Sequence, residues 1–169
     1  GFAGLYRFLD ALEPGVVFAN DVPYGYGPLL PDPNRILDLP EQFAYQVISR
    51  TGEEMDDGFL VPGLHDGMAA FPGPAGKTIL VRNHEINIKS SRKIGPYGEG
   101  DKRFDRVDPI SIYDRGRKGK PCIGGTTTLV YDTREGSLER HYLSLTGTLR
   151  NCAGGPTPWN TWITCEETV

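Results

Sequence analysis

Short runs of apolar, aromatic and β-branched residues recur along the chain, and in several of them apolar and polar positions alternate. This alternation is typical of β-strands that bury one face. A further run around Trp159, Trp162 and Ile163 predicts a short buried strand. The other predicted strands cover residues 42–49, 65–71, 78–85, 124–132 and 138–145. The pattern favours an all-β fold.

Glycine and proline separate these runs. The chain has 22 glycines and 14 prolines, which predicts many turns and no long helices. Five prolines fall within residues 20–40, so we expect residues 1–41 to form an arm, with one short helix over residues 1–12. Gly154, Gly155, Pro156 and Pro158 predict a tight, irregular turn before the tryptophan-rich strand.

Residues 86–121 interrupt the strand pattern. Between Lys89 and Lys120 the chain has ten Lys or Arg residues against five Asp or Glu. We interpret this segment as a solvated, partly mobile insertion between two regular regions, residues 42–85 and 122–169. Attraction of an anion is the alternative role for such a basic loop.

Charge and hydropathy exclude some classes of function. The net charge is −4, and the acidic remainder of the chain argues against a nucleic-acid partner. No apolar run approaches the roughly 18 residues that a membrane-spanning helix needs. The three cysteines form no zinc signature, although a Cys152–Cys165 disulfide is possible in an oxidising compartment.

Candidate metal ligands lie at the end of the chain. Cys152 precedes the glycine-rich turn, and Glu166 and Glu167 follow the tryptophan-rich strand. Carboxylates suit hard cations, and a thiolate adds affinity for a transition metal. The competing interpretation is a small buried cysteine and two solvated glutamates.

An internal repeat strengthens the metal interpretation. Residues 65–85 and 152–167 each begin near a glycine and end with a strand that runs into an acid, Glu85 or Glu167. These acids are 82 residues apart, or 46 once the 36-residue segment 86–121 is set aside. Four-stranded blades of a β-propeller repeat at about 40–50 residues. Equivalent strand ends of a propeller face one central channel, so Glu85 is expected to share a cavity with Cys152, Glu166 and Glu167.

Four motifs occur in order along the chain: LHDGMAAF at 64–71, LVRNHE at 80–85, GGTTTLV at 124–130 and NCAGGPTPWNTWITCEE at 151–167. Together they resemble the PhoX-type alkaline phosphatases. The resemblance implies a six-bladed β-propeller, of which about two blades are present here as a partial propeller. It also implies an exported enzyme of the periplasm or cell surface that hydrolyses phosphate monoesters with a mixed iron–calcium cofactor, Fe³⁺ and Ca²⁺.

The resemblance also assigns roles to residues. Cys152 matches the iron-binding cysteine of the family, and Glu166 and Glu167 match its acidic metal ligands. Glu85 is expected as a further carboxylate ligand. The residues expected to surround and support these ligands are Asn83, His84 and Asn151.

The chain is shorter than a complete propeller of this family. We therefore expect further blades, with further ligands, to complete the channel, and we expect residues 1–169 to be inactive without them. Two other functions remain open from the sequence. One is a propeller of lactonase or diesterase type, and the other is a non-catalytic calcium-binding propeller in which Cys152 is buried or disulfide-bonded.

Overall fold

The computed structural model describes residues 25–117 and 120–168. The chain divides into two compact units, Gly1–Val47 and Ile48–Val169. The predicted helix over residues 1–12 lies outside the described residues. Each unit is considered by itself.

The described part of the first unit is organised around one carboxylate. Asp32 accepts hydrogen bonds from the Tyr45 hydroxyl at 2.6 Å, from the Ile36 amide at 2.8 Å and from the Asn34 amide at 3.0 Å. These bonds, that of Tyr45 foremost, lower the pKa of Asp32 to about 2. The loop is thereby held together by hydrogen bonds to one charged group.

The predicted strand over residues 42–49 is wrong. Residues 43–50 have no regular secondary structure, and Phe43 and Val47 are largely exposed. The aromatic side chains that produced the alternation have local partners instead. The Phe43 ring packs edge-on against Tyr26, and the Tyr45 hydroxyl binds Asp32. Alternation alone therefore did not imply a partner strand.

The second unit contains a four-stranded antiparallel sheet, with its strands in sequence order. The turn between the first two strands is a short 3-10 segment, Pro74–Gly76, in which Ala75 and Gly76 have positive φ. All four strands had been predicted, within three residues at each end. They are β1 (His65–Pro72), β2 (Lys77–His84), β3 (Gly124–Asp132) and β4 (Ser137–Thr148).

A two-stranded antiparallel sheet follows, made of β5 (Asn151–Pro156) and β6 (Trp162–Glu166). The predicted turn is displaced: Gly154 and Gly155 lie within β5, and the turn is closed by hydrogen bonds between Thr157 and Thr161. The expectation that the tryptophan-rich strand is buried is also wrong. Ile163 is 57% exposed and Trp159 is 71% exposed, because only one face of this hairpin packs on the first sheet.

The apolar core lies between the four-stranded sheet and two irregular segments, one of which is the predicted insertion. Ile86, Tyr97 and Val107 of that insertion are at most 7% exposed and pack with Val61 and Leu143. The prediction that residues 86–121 form a solvated insertion is therefore wrong for these side chains. The segment folds through short 3-10 turns at Arg92–Ile94, Glu99–Asp101, Phe104–Arg106 and Pro109–Ser111.

The all-β class is confirmed within the described residues. A four-stranded meander followed by a hairpin is compatible with one propeller blade and the start of a second, and neither sheet closes on itself. The partial propeller therefore stays a prediction. None of the helical segments in residues 25–117 and 120–168 has the length and apolar character that crossing a bilayer requires.

Tyr97 tests whether the basic segment belongs to the core. Its side chain is 1% exposed, and its hydroxyl bonds the Thr146 hydroxyl at 2.5 Å and the Cys122 carbonyl at 3.3 Å. We expect Tyr97→Phe to lower the free energy of unfolding by about 1–2 kcal/mol, because Thr146 loses a buried partner. Denaturant titration of the purified protein measures this loss.

Tyr113, in the same segment, provides the control because its side chain is 70% exposed. We expect Tyr113→Phe to change the free energy of unfolding by less than about 0.5 kcal/mol. Equal, small effects of the two substitutions would show that the segment does not form part of the folded core.

Candidate metal centre

The same backbone arrangement places Glu85 and Glu167. Each acid directly follows the second strand of a hairpin, β2 or β6. The Glu85 amide donates to the Leu64 carbonyl at 2.9 Å, and the Glu167 amide donates to the Arg150 carbonyl at 2.8 Å. Leu64 and Arg150 each directly precede the first strand of their hairpin, and both have positive φ, 49° and 53°. The repeat seen in the sequence is thus a repeat of backbone geometry at the two acids.

Both hairpins also contain an irregular position near their beginning. The register between β1 and β2 shifts between His65 and Met68, and that between β5 and β6 shifts between Asn151 and Ala153. A β-bulge bends its strand and re-aims the neighbouring side chains. Cys152 lies in the second of these bulges, so its position depends on a local irregularity as well as on the sheet.

The side chain of Arg150 lies between the two acids. Its Nε is 3.5 Å from Glu85 Oε1, and its Nη2 is 2.5 Å from Glu167 Oε2. The carboxylates of separate hairpins are therefore held around a single positive charge. The three side chains are partly exposed, so solvent weakens these ion pairs to at most about 1 kcal/mol each.

Glu85 and Arg150 line a shallow, open depression. It has a volume of about 370 Å³ and combines acidic, basic and amide side chains. A neighbouring depression of about 540 Å³ shares Arg150 and adds the acidic pair, Glu166 and Glu167. Such a surface can attract cations through its carboxylates and anions through its basic side chains. The first depression is lined by Glu85, Asn87, Ile88, Lys89, Leu149, Arg150 and Thr168.

Glu166 has a different partner from Glu167. Its Oε1 accepts a hydrogen bond of 2.6 Å from the Leu149 amide. The carboxylate therefore caps the turn between β4 and β5. Of the two adjacent glutamates, only Glu167 pairs with Arg150.

Cys152 and Cys165 are free thiols in this structure, as is Cys122. The disulfide that the sequence allowed between Cys152 and Cys165 is absent from the described residues. Cys152 is partly exposed, and Cys165 is exposed. Cys152 is thus available as a ligand and is not the fully buried hydrophobic residue of the competing interpretation.

Asn83 and Asn151 are fully buried and join the two sheets. Asn83 bonds the Cys152 carbonyl and the Thr164 hydroxyl, at 3.0 and 2.9 Å. Asn151 Nδ2 donates to the Gly125 carbonyl at 2.6 Å and to the Thr164 hydroxyl at 3.1 Å. Both amides support the chain around the candidate ligands through its backbone and hydroxyl groups.

His84 is fully buried and neutral. Its Nδ1 lies 3.0 Å from the Gly63 carbonyl, which can only accept, so Nδ1 carries the proton. Nε2 then accepts from the Thr127 hydroxyl at 2.9 Å. Burial, with the nearby Arg82 charge, lowers the pKa of His84 to about 3. Both ring nitrogens are occupied, so His84 stabilises the end of β2 and does not offer a free metal ligand.

The carboxylates at the two strand ends have the chemistry of metal ligands. Glu85 and Glu167 already share one cationic partner, and carboxylates are ligands for Ca²⁺ and Fe³⁺. However, no three His, Cys, Asp or Glu side chains among residues 25–117 and 120–168 group closely enough to hold an ion. Two carboxylates have the chemistry to bind a hard cation, and further ligands are needed to complete its coordination.

Sequence reasoning missed Arg150 as the partner of both acids. A basic residue directly before the NCAGG motif was the available signal. Its positive φ and its position against Ile86, whose carbonyl accepts the Arg150 amide at 3.1 Å, were not visible in the sequence. The roles of Trp162 and Thr164 as partners of Asn83 were also missed, because they depend on the packing of two sheets.

His84 predicts a specific acid sensitivity. The folded pKa, about 3, is below the ordinary value of 6.5, so the unfolded chain binds more protons between these values. The stabilisation is complete above about pH 6.5 and is lost as the pH falls towards 3, by at most about 1.4 kcal/mol per pH unit. We expect His84→Gln to remove this slope from the free energy of unfolding, measured by urea titration between pH 4.5 and 7.5. The same slope in both proteins would contradict the assignment.

A family model described as alkaline phosphatase PhoX matches residues 24–138 and 123–169. Comparison with curated proteins and comparison with solved structures gave no significant match. The matched segments include every candidate ligand and both hairpins. Members of this family are metal-dependent, and membership implies phosphatase activity, that is, a hydrolase. The chain belongs to the PhoX family of alkaline phosphatases.

Proposed function

We propose that the protein hydrolyses phosphate monoesters with the help of iron and calcium ions bound at the ends of β2 and β6. The main supporting observation is the convergence of Glu85 and Glu167 on one guanidinium. Two acids at equivalent positions of repeated hairpins have the chemistry of a cation site, and their amides are anchored by the same type of hydrogen bond.

In this proposal Glu85 and Glu167 are the two carboxylate ligands that pair with Arg150, and Cys152 and Glu166 are further ligands. The ion pairs of Arg150 with Glu85 and Glu167 must then break when an ion is bound. The bound ions supply Lewis-acid stabilisation of the charge on the phosphoryl oxygens. The residues of this chain fix the positions of the carboxylates, and the Cys152 thiol is free and partly exposed.

The proposal includes the architecture and the location. The four-stranded meander is taken as one propeller blade and the β5–β6 hairpin as part of the next, with further blades providing the remaining ligands. The protein is proposed to act in the periplasm or outside the cell. The exposed Ile163 and Trp159 support a packing partner for the outer face of the hairpin.

The test is phosphate release from a simple monoester such as p-nitrophenyl phosphate, together with metal analysis of the complete protein. We expect bound calcium and iron, and activity that is lost on chelation. We expect Cys152→Ala and Glu167→Gln each to reduce kcat/KM by at least about 100-fold, since each removes a proposed ligand of the ions that stabilise the transition state.

Cys165→Ala is the matched control, because Cys165 is an exposed free thiol on the strand next to Cys152. We expect it to retain the activity and metal content of the wild type. Full activity in metal-free protein, or equal effects of Cys152→Ala and Cys165→Ala, would refute the proposal.

A further inference from the structure

The carboxamide of Asn83 is fully buried at the contact between the two sheets, and all of its hydrogen-bonding capacity is used. Nδ2 donates to the carbonyls of Cys152 and Ala153, at 3.0 and 2.9 Å. Oδ1 accepts from Trp162 Nε1 at 3.0 Å and from the Thr164 hydroxyl at 2.9 Å. One side chain on β2 thus bonds both strands of the second hairpin.

The two donated bonds hold the bulge that contains Cys152. A β-bulge leaves a residue without its regular ladder partner, so its backbone depends on other groups for satisfaction. Asn83 supplies those bonds to two consecutive carbonyls, those of Cys152 and Ala153. Asn83 is also two residues before Glu85, so the same strand end carries a candidate carboxylate ligand and the group that fixes the candidate thiolate ligand.

Gly67 on β1 closes the other side of this contact. A Cβ added at Gly67 would lie 2.5 Å from the Cys152 carbonyl oxygen, which is closer than atoms can approach. The Cys152 carbonyl therefore fits between a glycine and the Asn83 amide, in a space that admits no additional atom. Its position relative to β2 is defined by contact as well as by hydrogen bonding.

We propose that Asn83 is a positioning residue, whose two donated hydrogen bonds fix the Cys152 bulge, and hence the Cys152 thiol, relative to Glu85 and Glu167. The functional consequence rests on the proposed metal-dependent hydrolysis. The structural consequence, a restrained Cys152, does not depend on it and is measured separately.

Asn83→Asp distinguishes the hydrogen bonds that Asn83 donates from those that it accepts. The carboxylate has the shape of the amide and still accepts from Trp162 and Thr164, but it cannot donate and it places negative charge against two carbonyl oxygens. Thr164→Val is the complementary change. It removes one bond to Asn83 Oδ1 and the bond that Thr164 accepts from Asn151 Nδ2, and it leaves both bonds from Asn83 to the bulge in place.

The first measurement is the rate of alkylation of each cysteine by iodoacetamide in the native complete protein, resolved by mass spectrometry. We expect Asn83→Asp to accelerate modification of Cys152 about tenfold or more, because the loss of two buried bonds raises the population of the locally opened bulge. Cys122 should change by less than about twofold in the same protein, which separates local opening from global unfolding. Thr164→Val should accelerate modification of Cys152 by less than about threefold, since the bonds to the bulge remain.

Gly67→Ala provides an independent variant if Asn83→Asp does not fold. It displaces the same carbonyl by steric contact and should also accelerate Cys152 selectively. Unchanged Cys152 reactivity in every folded variant of Asn83 and Gly67, or equal acceleration at Cys122, would overturn the positioning role.

The second measurement is steady-state phosphate release. We expect Asn83→Asp to lower kcat about tenfold or more with little change in KM, because a displaced ligand weakens catalysis more than substrate binding. If the wild type hydrolyses no phosphate monoester but Asn83→Asp still exposes Cys152, the proposed function fails and the positioning role stands. If the wild type is active and Asn83→Asp changes neither Cys152 reactivity nor kcat, the positioning role fails and the proposed function stands.

Discussion

The contact between the two sheets is made by buried hydrogen bonds, and the candidate site depends on them. Asn83 and Asn151 are both fully buried, and together their carboxamides bond backbone, hydroxyl or indole groups of six other residues. Apolar packing tolerates small sliding movements, whereas a hydrogen bond requires a defined distance and angle. A polar contact of this kind costs desolvation energy unless every group is satisfied, and here the amides are satisfied. It therefore specifies one relative position of β2 and the β5–β6 hairpin.

The apolar core packs against the opposite face of the four-stranded sheet. There the irregular segments around Val61, Ile86 and Tyr97 cover the sheet and exclude water. His84 belongs to this face, where its neutral ring joins Gly63 to Thr127. Consecutive residues of a strand point to opposite faces, so Asn83 and His84 attach the end of β2 to both layers. The following residue, Glu85, is thereby placed at a strand end that is fixed on each side.

The sequence predicted the strands and the repeated acids more successfully than it predicted the environment of either. β1 to β4 were recognised because each has a period of two or a β-branched run between turn residues. The strand predicted over residues 42–49 had the same alternation, but Tyr45 and Phe43 are used locally, by Asp32 and Tyr26. A pattern of side chains indicates which residues can pack, but it does not indicate which partners they pack against.

The basic segment shows the same limit, because here residues predicted to be solvated are buried. Its charges and lack of periodicity concealed a few buried anchors, such as Ile86 and Tyr97, because isolated apolar residues in a loop produce no periodic pattern. Arg150 was missed for a related reason. Its importance derives from a positive φ and from two partners that are 65 and 17 residues away along the chain. Neither feature is encoded in a local pattern.

The backbone, more than the ion pairs, determines where the two acids lie. The pairs with Arg150 are partly exposed, and each contributes at most about 1 kcal/mol. By contrast, the Glu85 and Glu167 amides are bonded to the carbonyls of Leu64 and Arg150, two residues that both adopt the uncommon left-handed conformation. Such a conformation costs of order 1–3 kcal/mol in a residue other than glycine and persists only where the surrounding structure enforces it. Its occurrence at equivalent positions of two hairpins means that the strand ends are held in place independently of the charge between them. A cation that replaced the guanidinium would meet carboxylates whose main chain is already fixed, so little reorganisation of the backbone would oppose its binding.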